Sequence, residues 1–506
     1  MSNVQTEPRR RRRSRANRYR FSMLWRHPLR VFSRSSYGRR WRNRWMRQLL
    51  AIAAVLVIAV ILLISSAVRK ARSKSLGDFI TPTFAVAQRI QASLAYAQKV
   101  NDAQSILKEA ATMAANYDYD SAIELLKTNT KEEIAEDVSK AITDYTSAKE
   151  NLVQVKPEDV THIFYHSLVV DPQKAFSGTD AATAGFKQWM TTVDEFNKIT
   201  QTMYDRGYVL ISMYDIVEKV TASDGTTRMQ TKELYLPADK KPYILSLDDL
   251  SYYHSYDGRG VASRLVLDKD GTPTCEYIQD DGTVVTGSYD CVPLLDDFME
   301  AHPDGCYKGA RGTVALTGYD GILGYRTDIA YKTRENLDPD QIEYLEKHPD
   351  FDYDKEVEGA QQVAEAMKAE GWTFASHTWG HLNIGSTEME KLKRDTENWD
   401  NYVKPLVGDT NMIIFAHGTD LDPNGSKGYD SNEKYQYLKS MGFDIFCTVS
   451  SYQYTLEVHD DFVHDGRRNL DGYRLWNDVH NDEDWTSDLF DASEILDPAR
   501  TDMPAL

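Results

Sequence analysis

The sequence predicts an α/β fold built on a parallel sheet or barrel, preceded by a transmembrane helix and a helical stalk. From about Val160, short β-rich runs alternate with helical stretches, the rhythm of βα units. Ahead of them, residues 76–155 are Ala-rich with apolar residues at three- and four-residue steps, a helical period. Further upstream, residues 49–68 read "LLAIAAVLVIAVILLISSAV", 20 residues with no charge. About 20 such residues span a hydrocarbon core of roughly 30 Å as a helix.

Charge divides the 506 residues in the same places. Residues 1–74 hold 20 Lys and Arg against the single acid Glu7, leaving 39 basic and 76 acidic residues for 75–506. Sixteen arginines precede the apolar run and four basic residues follow it, which predicts a cytoplasmic N-terminus and an outward-facing remainder. The interleaved arginine and aromatic residues of "YGRRWRNRW" suit an anionic lipid surface, and no nucleic-acid partner is expected. The expected organisation is an Arg-rich cytoplasmic segment at 1–48, a single transmembrane helix at 49–68, a stalk at 69–157 and one domain at 158–506. The protein is thus expected in the cell membrane, its C-terminal domain extracellular.

Within the stalk, "ILKEAATMAANYDYDSAIELLK" has the texture of a helix-turn-helix repeat, but no second copy follows. The domain then opens with the strand "HIFYHSLVV", the helix "WMTTVDEFNKITQTMYDRGY" and the strand "KPYILSLDD". From 251 to about 354 the rhythm breaks into D-G turns and hairpins, read as a β-rich insertion, with "GTVALTG" within it read as a further strand. The alternation resumes with a helix ending at Gly371, the strand "TFASH", a helix, the strand "NMIIFAHG", a helix and the strand "DIFCTV". Three strands end in polar chemistry: Asp248-Asp249, His377 and His417. In parallel α/β folds chemistry collects at the C-terminal strand ends. The four cysteines, Cys275, Cys291, Cys306 and Cys447, form no C-x-x-C and leave three pairings open, with Cys275–Cys291 suited to closing a hairpin.

Adjacent carboxylates at the end of an apolar strand repel each other unless a proton or cation relieves them. Alone, "SLDDL" also suits a helix start. The i, i+4 pair His377 and His381 in "SHTWGH" is expected on one helical turn, with both rings available to one metal. Two imidazoles and a carboxylate leave a position open for water, as catalytic zinc-type sites require. The second carboxylate then stands where it can take a proton.

Together "HSLVV", "MYDRGYVLISMYDIV", "KPYILSLDD" and "AMKAEGWTFASHTWGH" resemble the polysaccharide deacetylase family, the nodulation-factor deacetylase homology domain. The resemblance runs from about Thr161 to about Val449 and suggests a membrane-anchored bacterial form with divergent motifs. It implies a deformed (β/α)7-type barrel and metal-dependent removal of acetyl groups from a cell-surface polysaccharide. The implied polymer is of the N-acetylglucosamine type, peptidoglycan or exopolysaccharide. It implies Asp248 as catalytic base, Asp249, His377 and His381 as metal ligands, and zinc as the metal, with cobalt or nickel as alternatives. Water activated by the metal would attack the acetyl carbonyl, Asp248 taking the proton.

The motifs also depart from the family. Leu250 stands where Gly is usual after the acids, the third motif is "IIFAHGTD" without Pro, and the late Leu-x-His is not identifiable. Substrate-binding candidates are His417, Arg468 and Asp471, together with Tyr165 and Trp379. Tyr165-His166 resembles the Tyr-His near the start of such domains. Tyr252, Tyr253 and Trp476 are further aromatics suited to sugars. These departures keep a second reading open: a non-catalytic glycan-binding or scaffold protein that retains the barrel and its metal.

Overall fold

The computed structural model describes residues 103–129, 134–450 and 455–505, with Gln91 and Asn101 beside them. The chain divides into two units, Met1–Ser105 and Ile106–Leu506. The Arg-rich segment, the expected transmembrane helix and nearly all of the stalk before residue 103 lie outside the described residues. Among those described, no helix is long and apolar enough to cross a membrane.

The second unit opens with helical residues 106–115, then α1 (Tyr119–Thr128) and α2 (Ala135–Glu150). Tyr117 fixes this segment to the domain: its hydroxyl donates to Asp304 O at 2.8 Å, and its ring packs with Val209 and Leu236. The downstream end of the expected stalk is therefore docked onto the domain.

Seven parallel strands close the barrel. They are β1 (Thr161–Tyr165), β3 (Lys241–Asp248), β4 (Thr313–Leu316), β5 (Thr373–Ser376), β6 (Met412–Ile414), β7 (Ile445–Val449) and β9 (Val463–Asn469). Each pairs with the next and β9 returns to β1, so the ring follows chain order. Two strands flank the ring: β2 (Tyr208–Leu210) lies parallel to the start of β3, and β8 (Thr455–Val458) antiparallel to β9. The sequence reading of α/β alternation thus becomes a (β/α)7-type barrel.

Residues alternate across each strand. Ile244, Ala315, Ala375, Ile414, Ile445, Cys447 and Val463 form one cluster inside the ring. Their neighbours Ile163, Tyr165, Leu245, Leu247, Val314 and Phe374 belong to another cluster, shared with the surrounding helices. These helices include α4 (Val193–Asp205), which follows α3 (Ala181–Trp189), then α5 (Cys291–Ala301), α6 (Tyr353–Glu370) and α7 (Met389–Tyr402). Burying aliphatic side chains on both faces of the strands is the main stabilisation, roughly 1.5–3 kcal/mol for each one fully buried.

Local signals set the helix ends. Thr192 and Glu195 form a reciprocal capping box at the start of α4. Gly371 ends α6 at φ +105°, where a Cβ would stand 2.3 Å from Gly309 O.

Two expectations change here. The stretch 251–354 is not one insertion: β4 and α5 belong to the barrel, and the added part is the antiparallel sheet Arg264–Leu267, Pro273–Ile278 and Val284–Gly287. The run "GTVALTG", read as a strand, is β4, and it lies in the ring between β3 and β5 rather than in an added sheet. The four cysteines are all buried and unpaired, so Cys275 and Cys291 close no hairpin.

Candidate active site

The C-terminal strand ends open into a cavity of about 540 Å³ lined by Asp248, Asp249, His377, His381, His417 and His166, among others. Strand parity brings the acids there. Ser246 and Asp248 point inward from β3, and the chain then turns at Asp249, whose φ is +58°. Because Asp249 takes the left-handed conformation, the following residue need not be Gly. Leu250 instead packs fully buried in the outer core, which accounts for this departure from the family pattern.

His377 and His381 do not share a helical turn as their spacing predicts. A tight loop follows β5, with Thr378 at φ +62° and His381 at φ +49°. Asp395 of α7 holds that loop, accepting from Trp379 N and Gly380 N at 2.7 Å each. The ring of His377 donates from Nδ1 to Ile414 O at 2.8 Å, leaving Nε2 bare.

Asp249 Oδ2 lies 3.3 Å from His381 Nε2, and Asp249 Oδ1 lies 4.0 Å from His377 Nε2. Each residue offers a donor atom within 4.8 Å of the others. Asp249 Oδ1 is buried and has no hydrogen-bond partner. A buried carboxylate oxygen without a partner is costly, and a cation between these atoms relieves it. The set of one oxygen and two imidazole nitrogens fits a divalent metal of the zinc type. Burial opposes ionisation of Asp249, but hydrogen bonding to His381 and the nearby imidazoles hold its carboxyl well below the usual range. Burial pushes the His377 ring down, toward the neutral form that ligates metals.

Arg467, from the inner face of β9, grips Asp248 with both terminal nitrogens, at 2.8 and 3.0 Å. Burial would raise the Asp248 carboxyl, yet Arg467 keeps it below its ordinary value. Arg468, the sequence candidate, is one residue off. It points outward and pairs with Asp488 at 2.8 Å, away from the cavity.

The same parity moves Tyr165 out of the site. It is buried in the outer core with its ring edge-on to Phe196, and His166 lines the cavity instead. His166 Nδ1 donates to Trp189 O at 3.0 Å, so Nε2 is the ring's basic atom.

Trp379 also lies outside the cavity, against Gly318 and Val403, while Trp476 stacks on His480. His417 lines the wall at φ +59° and donates from Nε2 to His381 O at 3.1 Å. Asp471 is buried at the cavity edge, capping α8 (Gly472–His480) through Arg474 N and accepting from Asn469 Nδ2. Tyr252 and Tyr253 also line the cavity, as do Trp189, Tyr473 and Trp485, which the sequence did not single out.

Residues 346–444, from just ahead of α6 to the residue before β7, match the polysaccharide deacetylase family. The matched stretch holds β5, His377 and His381, so the similarity to that family covers one side of the barrel. A solved structure it resembles is the Streptococcus pyogenes deacetylase PplD in complex with acetate. The identity is 13%, over 63% of this chain and 94% of that one, with a TM-score of 0.30. No curated protein matches the chain.

Proposed function

We propose that the protein is a metal-dependent hydrolase that removes acetyl groups from a cell-surface polysaccharide of the N-acetylglucosamine type. The observation that carries this reading is the buried, partnerless Asp249 Oδ1 facing His377 and His381, with an Arg-clamped Asp248 beside it. Asp249, His377 and His381 would hold the divalent metal, which supplies Lewis-acid polarisation of the acetyl carbonyl and an acidified water.

Asp248, kept ionised by Arg467, takes the proton from the attacking water. The new C–O bond forms as the carbonyl π electrons move to oxygen. When they return, the C–N bond breaks and its electron pair stays with the amine. His166, its tautomer set by Trp189 O, stands where a protonated Nε2 can deliver the amine's proton. That role suits a chain without the late Leu-x-His. Acetate and a free amino sugar leave. At the rim Trp189 is 41% exposed, with the Tyr473 ring 6.2 Å away, and such aromatic faces suit sugar rings. The net negative charge of 75–506 favours a neutral polymer or its cationic product over an acidic one. The apolar run at 49–68 would hold the enzyme at the membrane within reach of that polymer.

Metal content and acetate release from N-acetylated chitooligosaccharide test this on the full-length protein. Wild type is expected to bind one equivalent of zinc and release acetate, while Asp249→Ala and His377→Ala lose both. Unchanged metal content in both variants overturns the site. Full metal occupancy with no acetate from any acetylated glycan favours the non-catalytic binder.

A further inference from the structure

Beneath Asp248 the barrel interior holds, beside Arg467, polar groups that the reaction above does not use. His162 of β1, Ser246 of β3 and Asp465 and Arg467 of β9 all point inward and are completely buried. They form one chain of contacts. Asp465 Oδ2 lies 2.5 Å from His162 Nδ1, and His162 Nε2 lies 3.0 Å from Ser246 Oγ. Ser246 Oγ accepts from Arg467 Nη1 at 3.0 Å, and the same Nη1 reaches Asp248 Oδ1 at 2.8 Å. The guanidinium carbon also lies over Phe164, 4.1 Å from the ring centroid.

We propose that His162, Ser246 and Asp465 are positioning residues that fix Arg467, and through it the catalytic base Asp248; this rests on the deacetylase reading above. Arginine offers only donors, so Ser246 accepts from Arg467 and gives its single proton to His162 Nε2. That places the ring proton of His162 on Nδ1, facing Asp465. Each group thereby sets the polarity of the next, as in other carboxylate–imidazole arrangements. Without the Ser246 oxygen, Nη1 keeps Asp248 but loses the contact that stops the guanidinium from rotating in its plane. A shift of the base by a fraction of an ångström is enough to slow proton abstraction.

Two measurements on the full-length protein test this. The first is histidine ¹⁵N NMR, with the His162 signals assigned by difference from His162→Gln. Nε2 is expected to be unprotonated and Nδ1 protonated; a protonated Nε2 overturns the relay whether or not the protein turns over. The second is a double-mutant cycle on acetate release with Ser246→Ala and Arg467→Lys. Ser246→Ala is expected to lower kcat about 10-fold, with KM within about 2-fold and zinc content unchanged. In the Arg467→Lys background the same change should cost less than about 2-fold. Independent, multiplying effects, or a lowered Tm with unchanged kcat, assign these residues to barrel stability alone. If wild type releases no acetate, the deacetylase reading fails and the NMR result still decides the relay.

Discussion

His166 lines the cavity and Arg467 clamps Asp248, yet neither stood among the candidate site residues that the sequence put forward. His166 stands one residue from the Tyr165 named as a candidate, and Arg467 one residue from Arg468. For the arginine the residue type was right and the face was wrong; of the Tyr165-His166 pair, the histidine faces the cavity and the tyrosine the outer core. Side-chain direction alternates along a strand, so an error of one position moves a group from the cavity to the outer core. Asp465 carries a signal that could have prevented this: it is two residues from Arg467, on the same inner face. His166→Gln keeps the size of the ring and a donor toward Trp189 O but removes the proton donor. We expect kcat to fall about 100-fold with zinc content unchanged, measured by steady-state acetate release beside metal analysis. Equal kcat in the two proteins would assign the leaving-group proton to another source.

At the scale of elements, the helix that leads into β4 begins at a buried carboxylate. Asp290 accepts from Cys291 N at 2.7 Å and Leu168 N at 3.0 Å, and so joins the start of α5 to the loop after β1. No ion pair to a basic residue reaches it among the described residues. Burial, outweighing the hydrogen bonds from these amides, pushes its carboxyl up to about 6. A carboxyl that holds its proton more tightly when folded stabilises the fold at low pH. That contribution is present below about pH 4 and is lost as pH rises through about 6, by roughly 3 kcal/mol at most. Asp290→Asn should therefore flatten the rise in unfolding midpoint between pH 7 and pH 4.5, measured by guanidinium denaturation. An unchanged pH slope would mean that Asp290 is ionised throughout. The sequence made the long helices legible through their caps and periods. It read "GTVALTG" as a strand but set it inside an insertion, because four buried residues between glycines carry no pattern that tells a barrel strand from an added one.

For the whole molecule, the described domain and the undescribed N-terminal region were read from different signals. Charge asymmetry and an uninterrupted apolar run need no tertiary structure, since they describe how a segment partitions between water and lipid. If 49–68 anchors the chain as proposed, protease added to intact cells should remove the C-terminal domain. The Arg-rich segment should stay protected until the membrane is opened. Protection of both ends in intact cells would place the enzyme inside, away from a surface polymer.

The sequence by itself determined the alternation that makes an α/β barrel, the acid pair at one strand end and the histidine pair at another. These are local in the chain, and their spacing and residue types are visible without folding. Only the tertiary structure decided which neighbours complete them. Asp248 and Arg467 are more than 200 residues apart, and β9 reaches β3 only because the ring closes through β1. Closure also selects one face of every strand as interior. It therefore decides that His162, Ser246, Asp465 and Arg467 meet beneath the base, while Tyr165 and Arg468 face away.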